Sequence, residues 1–145
     1  MKVTQRLQLR SVWRSLLLVV DPRAGTLRWA WLERMRQTHL EPVLRRWALE
    51  RLVWDGAGSH RGKLLAPLPT PRVLLPPYAP ELNPAERVFE ERRRQVEGRV
   101  YPSIEDKQAA AETSLAALSA EPARVRRLCG WQWLTADLDA LPPAA

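Results

Sequence analysis

The chain has 145 residues, enough for one domain with a real core. A hydrophobic content of 46% and seven tryptophans exclude a disordered segment. Lys and Arg number 23 against 16 Asp and Glu, a net charge of +7 carried almost wholly by arginine, so a polyanionic partner such as DNA suits the surface. No apolar run approaches the ~20 residues of a membrane span. The basic start lacks a signal-peptide cleavage pattern, and the lone Cys129 allows no internal disulfide, so a cytoplasmic location is expected.

Residues 1–10 are polar and basic, without clear periodicity beyond Val3, Leu7 and Leu9. Leu16 to Val20 is a continuous apolar run, the mark of a strand covered on both faces. Asp21-Pro22-Arg23-Ala24-Gly25 reads as a turn. Leu27, Trp29 and Trp31 alternate with Thr26, Arg28 and Ala30, so a second strand completes a hairpin. From Thr38 the period becomes helical: Leu40, Val43, Leu44 and Trp47 form a stripe, and Thr38 with Glu41 resembles a capping box.

Leu52-Val53-Trp54 predicts a short buried strand ending at Asp55, and Ser59 a cap for a short helix over 60–66. Val73 to Leu75 predicts another strand between prolines. Asn83 suits a helix cap, Pro84 the first helical position and Gly98 the end. Ser103 opens a further helix striped by Ile104, Ala111, Leu115 and Leu118, and a last short helix runs near 122–129. The alternation predicts a single α/β domain over 1–145, with a mixed sheet and flanking helices.

In open α/β sheets, functional groups gather beyond the carboxyl ends of strands. Asp55 stands at such an end, and Glu86 falls in the first turn of the helix after the next strand. If those strands are neighbours, both carboxylates can serve one divalent ion, with Mg²⁺ (or Mn²⁺) matching their hard oxygens. Each acid has a plainer reading: Asp55 as a turn acid before glycine, and Glu86, three after Asn83, as the capping-box partner. Glu81 and Glu90 read as solvated charges. His60 can reach the same region or sit as an ordinary helix-start histidine. The run Arg92, Arg93 and Arg94, on the helix of Glu86, reads as a solvated face or a DNA-backbone contact, whereas the Arg124, Arg126 and Arg127 group reads as a solvated face. Trp29, Trp31 and Trp47 read as core, with Trp131 and Trp133 as packing anchors.

The segments Asp55-Gly56-Ala57-Gly58-Ser59-His60 and Leu75-Pro76-Pro77-Tyr78-Ala79-Pro80-Glu81-Leu82-Asn83-Pro84-Ala85-Glu86 together resemble the DDE transposases of bacterial insertion sequences in the mariner superfamily. The second segment follows the family pattern at nearly every position, with Ala79 for the usual serine. In the first, Gly56 replaces the usual asparagine. The resemblance runs from about Trp13 to Trp133.

It implies a ribonuclease-H-like fold and Mg²⁺-dependent DNA strand cleavage and transfer at transposon ends. Asp55 would be the second catalytic acid and Glu86 the third, both metal ligands. The family's first acid lies on the first strand, upstream of the hairpin. Residues 1–12 hold no Asp or Glu, and Asp21 sits in a turn setting rather than a metal site. The expectation is therefore the carboxyl-terminal portion of a transposase catalytic domain, without its first strand and without the amino-terminal helix-turn-helix region. The rivals are a non-catalytic remnant that binds DNA or a full-length transposase, with self-association as a further expectation, and a complete nuclease using Asp21.

Overall fold

The apolar run of the hairpin becomes the buried axis of a mixed sheet. In the computed structural model, residues 2–9, 12–54, 63–76 and 79–140 are described, with 2–9, 12, 13, 80, 137 and 138 described by backbone alone. Strands β1 (Lys2–Leu9), β2 (Val12–Asp21), β3 (Thr26–Leu32), β4 (Leu52–Trp54) and β5 (Arg72–Leu74) lie in the order β3-β2-β1-β4-β5. The first three are mutually antiparallel, and β4 and β5 continue the sheet in parallel with β1.

β2 shows why its sequence is apolar without interruption. Leu16, Leu18 and Val20 pack on one face against Leu27 of β3 and the helices α2 (Pro84–Val96), α3 (Ile104–Ser119) and α4 (Pro122–Cys129). Leu17 and Val19 pack on the other face against Leu40 and Leu44 of α1 (Gln37–Trp47). A strand sandwiched this way gains from every side chain, at about 1.5–3 kcal/mol for each fully buried leucine or valine. α5 (Gln132–Ala140), which the sequence reading did not anticipate, closes a smaller cluster of Val53, Leu75, Trp131 and Leu134.

The hairpin turn forms as its residues dictate. Asp21 Oδ1 accepts hydrogen bonds from the Arg23 and Ala24 N–H groups at 2.9 and 3.1 Å. Gly25 adopts φ +71°, and a Cβ there would collide with the Pro122 carbonyl. That close approach lets α4 clasp the turn, where Arg126 Nη1 also donates to Ala24 O at 3.1 Å.

Three expectations need correction. The sheet does not lack its first strand: Lys2–Leu9 occupies the centre, paired with β2 from Lys2 opposite Val19 to Leu9 opposite Val12. Backbone pairing with a long, well-buried neighbour forms this strand, although its apolar alternation is broken at Gln5. α1 begins two residues earlier than expected, capped at Arg36 with no side-chain bond, so Thr38 lies inside the helix instead of capping it. Of the helix expected over 60–66, residues 63–66 form turns, and 60–62 lie outside the described residues.

Candidate functional site

β4 is buried along its whole length, with Leu52 and Trp54 on the α1 face and Val53 in the cluster with Leu75, Trp131 and Leu134. Its hydrogen bonds to the segments flanking β5 are close: Leu52 N–H donates to Pro71 O at 2.9 Å, and Leu75 N–H to Trp54 O at 2.7 Å. Asp55, the next residue, and His60 lie outside the described residues, as do Gly56 to Ser59.

The proline-rich segment leads into a well-built helix start. Pro80–Leu82 forms a single 3-10 turn, with Leu82 N–H donating to Ala79 O at 3.1 Å. Asn83 is buried, and its Oδ1 accepts from Ala85 N–H at 3.2 Å, satisfying one of the orphan donors of α2. Glu86 follows in the first helical turn, half-buried, its N–H donating to Asn83 O at 3.0 Å. The positive end of the helix dipole favours a carboxylate at this position. Beside it, the Arg87 guanidinium stands 5.4 Å from the centre of the Trp131 ring. Trp131 also packs on the cluster containing Val53, so the first turn of α2 and β4 border the same small apolar cluster.

The neighbouring charges behave as solvated ones. Glu81 and Glu90 are exposed, and Glu90 pairs with Arg87 at 3.2 Å. The arginine run does not act as a single surface. Arg93 and Arg94 are exposed, the former 3.6 Å from Glu97, whereas Arg92 is 1% exposed and turned inward between Phe89 and Val96. In that position Arg92 cannot touch a phosphate backbone. The expectation for it is corrected because its helical position, one turn after Val88 and Phe89, belongs to the buried stripe. Helical spacing from Ala85 and Val88 was the signal that could have revealed it. Burial lowers the Arg92 pKa, against the opposing field of Glu97.

Cys129 is fully buried, its thiol facing Pro84 O at 3.3 Å, and burial pushes its pKa up to about 12. It is a small core residue, not a nucleophile. A cavity of about 630 Å³ opens between the end of β2 and β4, and among the described residues neither Glu86 nor any of the three arginines lines it.

The donor set fits a hard divalent ion chemically, since carboxylate oxygens are what Mg²⁺ and Mn²⁺ select. Among the described residues no three His, Cys, Asp or Glu side chains converge as a metal cluster, and Glu86 is the member of the candidate pair that they include.

A family model described as the DDE superfamily endonuclease matches residues 13–108, which span β2 to the beginning of α3 and include Asp55 and Glu86. The chain belongs to the DDE superfamily endonucleases. Members act on DNA and generally use divalent metal ions. No curated protein matches the chain.

Proposed function

We propose that this chain is a transposase catalytic domain of the mariner superfamily, of bacterial insertion-sequence type, with a ribonuclease-H-like sheet. Its reaction is cleavage and transfer of DNA strands at transposon ends. The observation that carries this reading is the capped first turn of α2, which carries Glu86 directly after the segment Leu75–Ala85, with its neighbour Arg87 over the Trp131 ring that packs on the cluster containing Val53 of β4.

Asp55 and Glu86 would hold Mg²⁺ or Mn²⁺, which when bound polarises the scissile phosphate and lowers the pKa of an attacking water or hydroxyl. The chain's own contributions are more modest. The Asn83 cap fixes the Glu86 backbone, and the positive end of the helix dipole favours an anionic group there. Exposed Arg93 and Arg94 offer phosphate-backbone contacts that position DNA without reading sequence, and His60 is a further candidate for that role.

A second reading is favoured by one observation. β1, at the centre of the sheet, contains no Asp or Glu, so the described strand supplies no first catalytic acid. The chain would then be a non-catalytic remnant that binds DNA or a full-length transposase.

Mn²⁺ titration of the whole chain, read by the loss of the free-ion paramagnetic signal, separates the possibilities. Weak binding that disappears in both Asp55→Ala and Glu86→Ala supports the metal site. Absence of binding in the parent chain removes it. Salt-dependent DNA binding without strand cleavage supports the remnant.

A further inference from the structure

We propose that Trp133 is a stacking platform for an unpaired nucleotide of a bound DNA strand, joined through Trp131 to the first turn of α2. The inference rests on the reading of the chain as a DNA-acting transposase domain, and it concerns binding rather than cleavage.

The segment Trp131-Gln132-Trp133-Leu134 puts two indoles one residue apart at the start of α5. Both read from the sequence as packing anchors, but Trp131 alone acts as one: it is half-buried and packs on the cluster of Val53 and Leu134. Trp133 is 46% exposed and joins none of the core clusters of the described residues. It is held in place all the same. Its ring stacks on that of Trp131, with centroids 5.6 Å apart and planes 14° from parallel, the geometry of an offset aromatic pair. The Arg87 guanidinium, 5.4 Å from the centre of the Trp131 ring, makes the third member of the group. The Arg87 side chain is half exposed, and its pair with Glu90 lies at the surface, where such pairs are weak enough to be exchanged.

A single surface indole needs no explanation by itself. What points to a ligand is a ring whose plane is fixed by an anchored neighbour, together with an accessible cation on that same neighbour. A nucleotide carries the matching pair of groups, a flat π face and a phosphate, and aromatic rings interleaved with basic side chains are how single strands are held without regard to sequence. In a duplex each base face is covered by the next pair, so a stacking ring selects an unpaired base. A protein partner calls for a wider apolar patch. Here the neighbours of Trp133 on α5 are small or polar: Gln132 and Ala136 are exposed, and Thr135 is half-buried. Asp139, farther along α5, is paired with Arg23 and so repels a phosphate less. The net charge of +7 and the family's action on DNA supply the long-range attraction.

The probe is a short DNA duplex with a tail of about four unpaired nucleotides, one of them 2-aminopurine, beside the same duplex with blunt ends. Binding is measured with the whole chain in EDTA, which keeps metal-dependent cleavage out of the readout. The tailed duplex should bind about tenfold more tightly than the blunt one, and its 2-aminopurine fluorescence should fall on binding as the base stacks. Trp133→Ala should lose both the preference and the fluorescence change, Trp133→Phe should keep part of each, and Gln132→Ala, at the exposed neighbour, should keep both. Equal binding of the two duplexes, or a preference that survives Trp133→Ala, overturns the platform and leaves the transposase reading standing. Failure to bind either duplex removes both. Self-association of the parent chain that disappears in Trp133→Ala, read by sedimentation, would give the ring to a second copy and also overturn the proposal.

Discussion

The two halves of the sheet are built on different principles. β1, β2 and β3 form long antiparallel ladders, and β2 is buried on both faces by two separate clusters. β4 and β5 are three residues each, and β5 is an edge strand whose Val73 and Leu74 are 41% and 53% exposed. The first half supplies most of the buried apolar area, hence most of the stability. The second leads, after β5, to the capped start of α2, where Glu86 stands half-buried. Framework and candidate chemistry are thus separated across one sheet, with β1 as the boundary between them.

The sharpest way to break this comparison is to truncate one leucine in each half. Leu16→Ala, at a fully buried position, should lower stability by about 2–5 kcal/mol in urea unfolding. Leu74→Ala on the exposed edge should change it by less than about 0.5 kcal/mol. Comparable losses would mean that the parallel half carries the fold as well.

A smaller effect tests how α3 is fixed to the antiparallel half. Trp29 Nε1 donates to Glu112 Oε2 at 2.8 Å, and Trp31 Nε1 donates to Glu112 Oε1. One carboxylate therefore joins two indoles of β3 to α3. Glu112→Ala should cost about 1–3 kcal/mol, because both indole donors lose a charged acceptor. Glu112→Gln should cost less, since its carbonyl oxygen still accepts one bond. An unchanged thermal midpoint for Glu112→Ala would show that apolar packing alone holds α3.

At the boundary with the candidate site, Asn83→Ala should cost about 0.5–2 kcal/mol through the lost cap. It should also weaken Mn²⁺ binding if Glu86 is a ligand, since it loosens the turn that holds Glu86. Weaker stability with unaltered ion binding would detach Glu86 from the proposed metal site.

How much of this was legible in the sequence follows the same division. Leu16–Val20, the Asp21–Gly25 turn and the Asn83 and Ser103 caps were readable because each depends on local chemistry: continuous burial, a side chain bonding its own backbone, an oxygen bonding a nearby N–H. β1 was not readable. Val3, Leu7 and Leu9 alternate, but Gln5 interrupts them, and the strand owes its place to pairing with β2 rather than to its own pattern. Arg92 was misjudged because a run of three arginines suggests a surface, while helical geometry turns one of the three inward. The candidate site was legible as a motif in Asp55 and Glu86. The link from β4 to the first turn of α2 was not, because it runs through Trp131 and Leu134, distant residues whose role only the tertiary packing reveals.

The smallest effect concerns Cys129, which binds α4 to the start of α2 through Pro84 O and belongs wholly to the antiparallel half's core. Its thiol is held protonated up to about 12, against an ordinary value of 9.0. Below pH 9 the folded and unfolded chains both keep this proton, and the contribution is constant. Between 9 and 12 the unfolded chain has lost it while the folded chain retains it, so stability from this group falls as pH rises. Cys129→Ala removes the titration, and the stability difference between parent and variant should therefore shift against the parent from pH 8 to pH 10. The same burial makes the thiol inert to an aromatic disulfide reagent at pH 8 until urea unfolds the chain. Rapid modification of the folded protein would show that the α2–α4 contact opens within the antiparallel half's core.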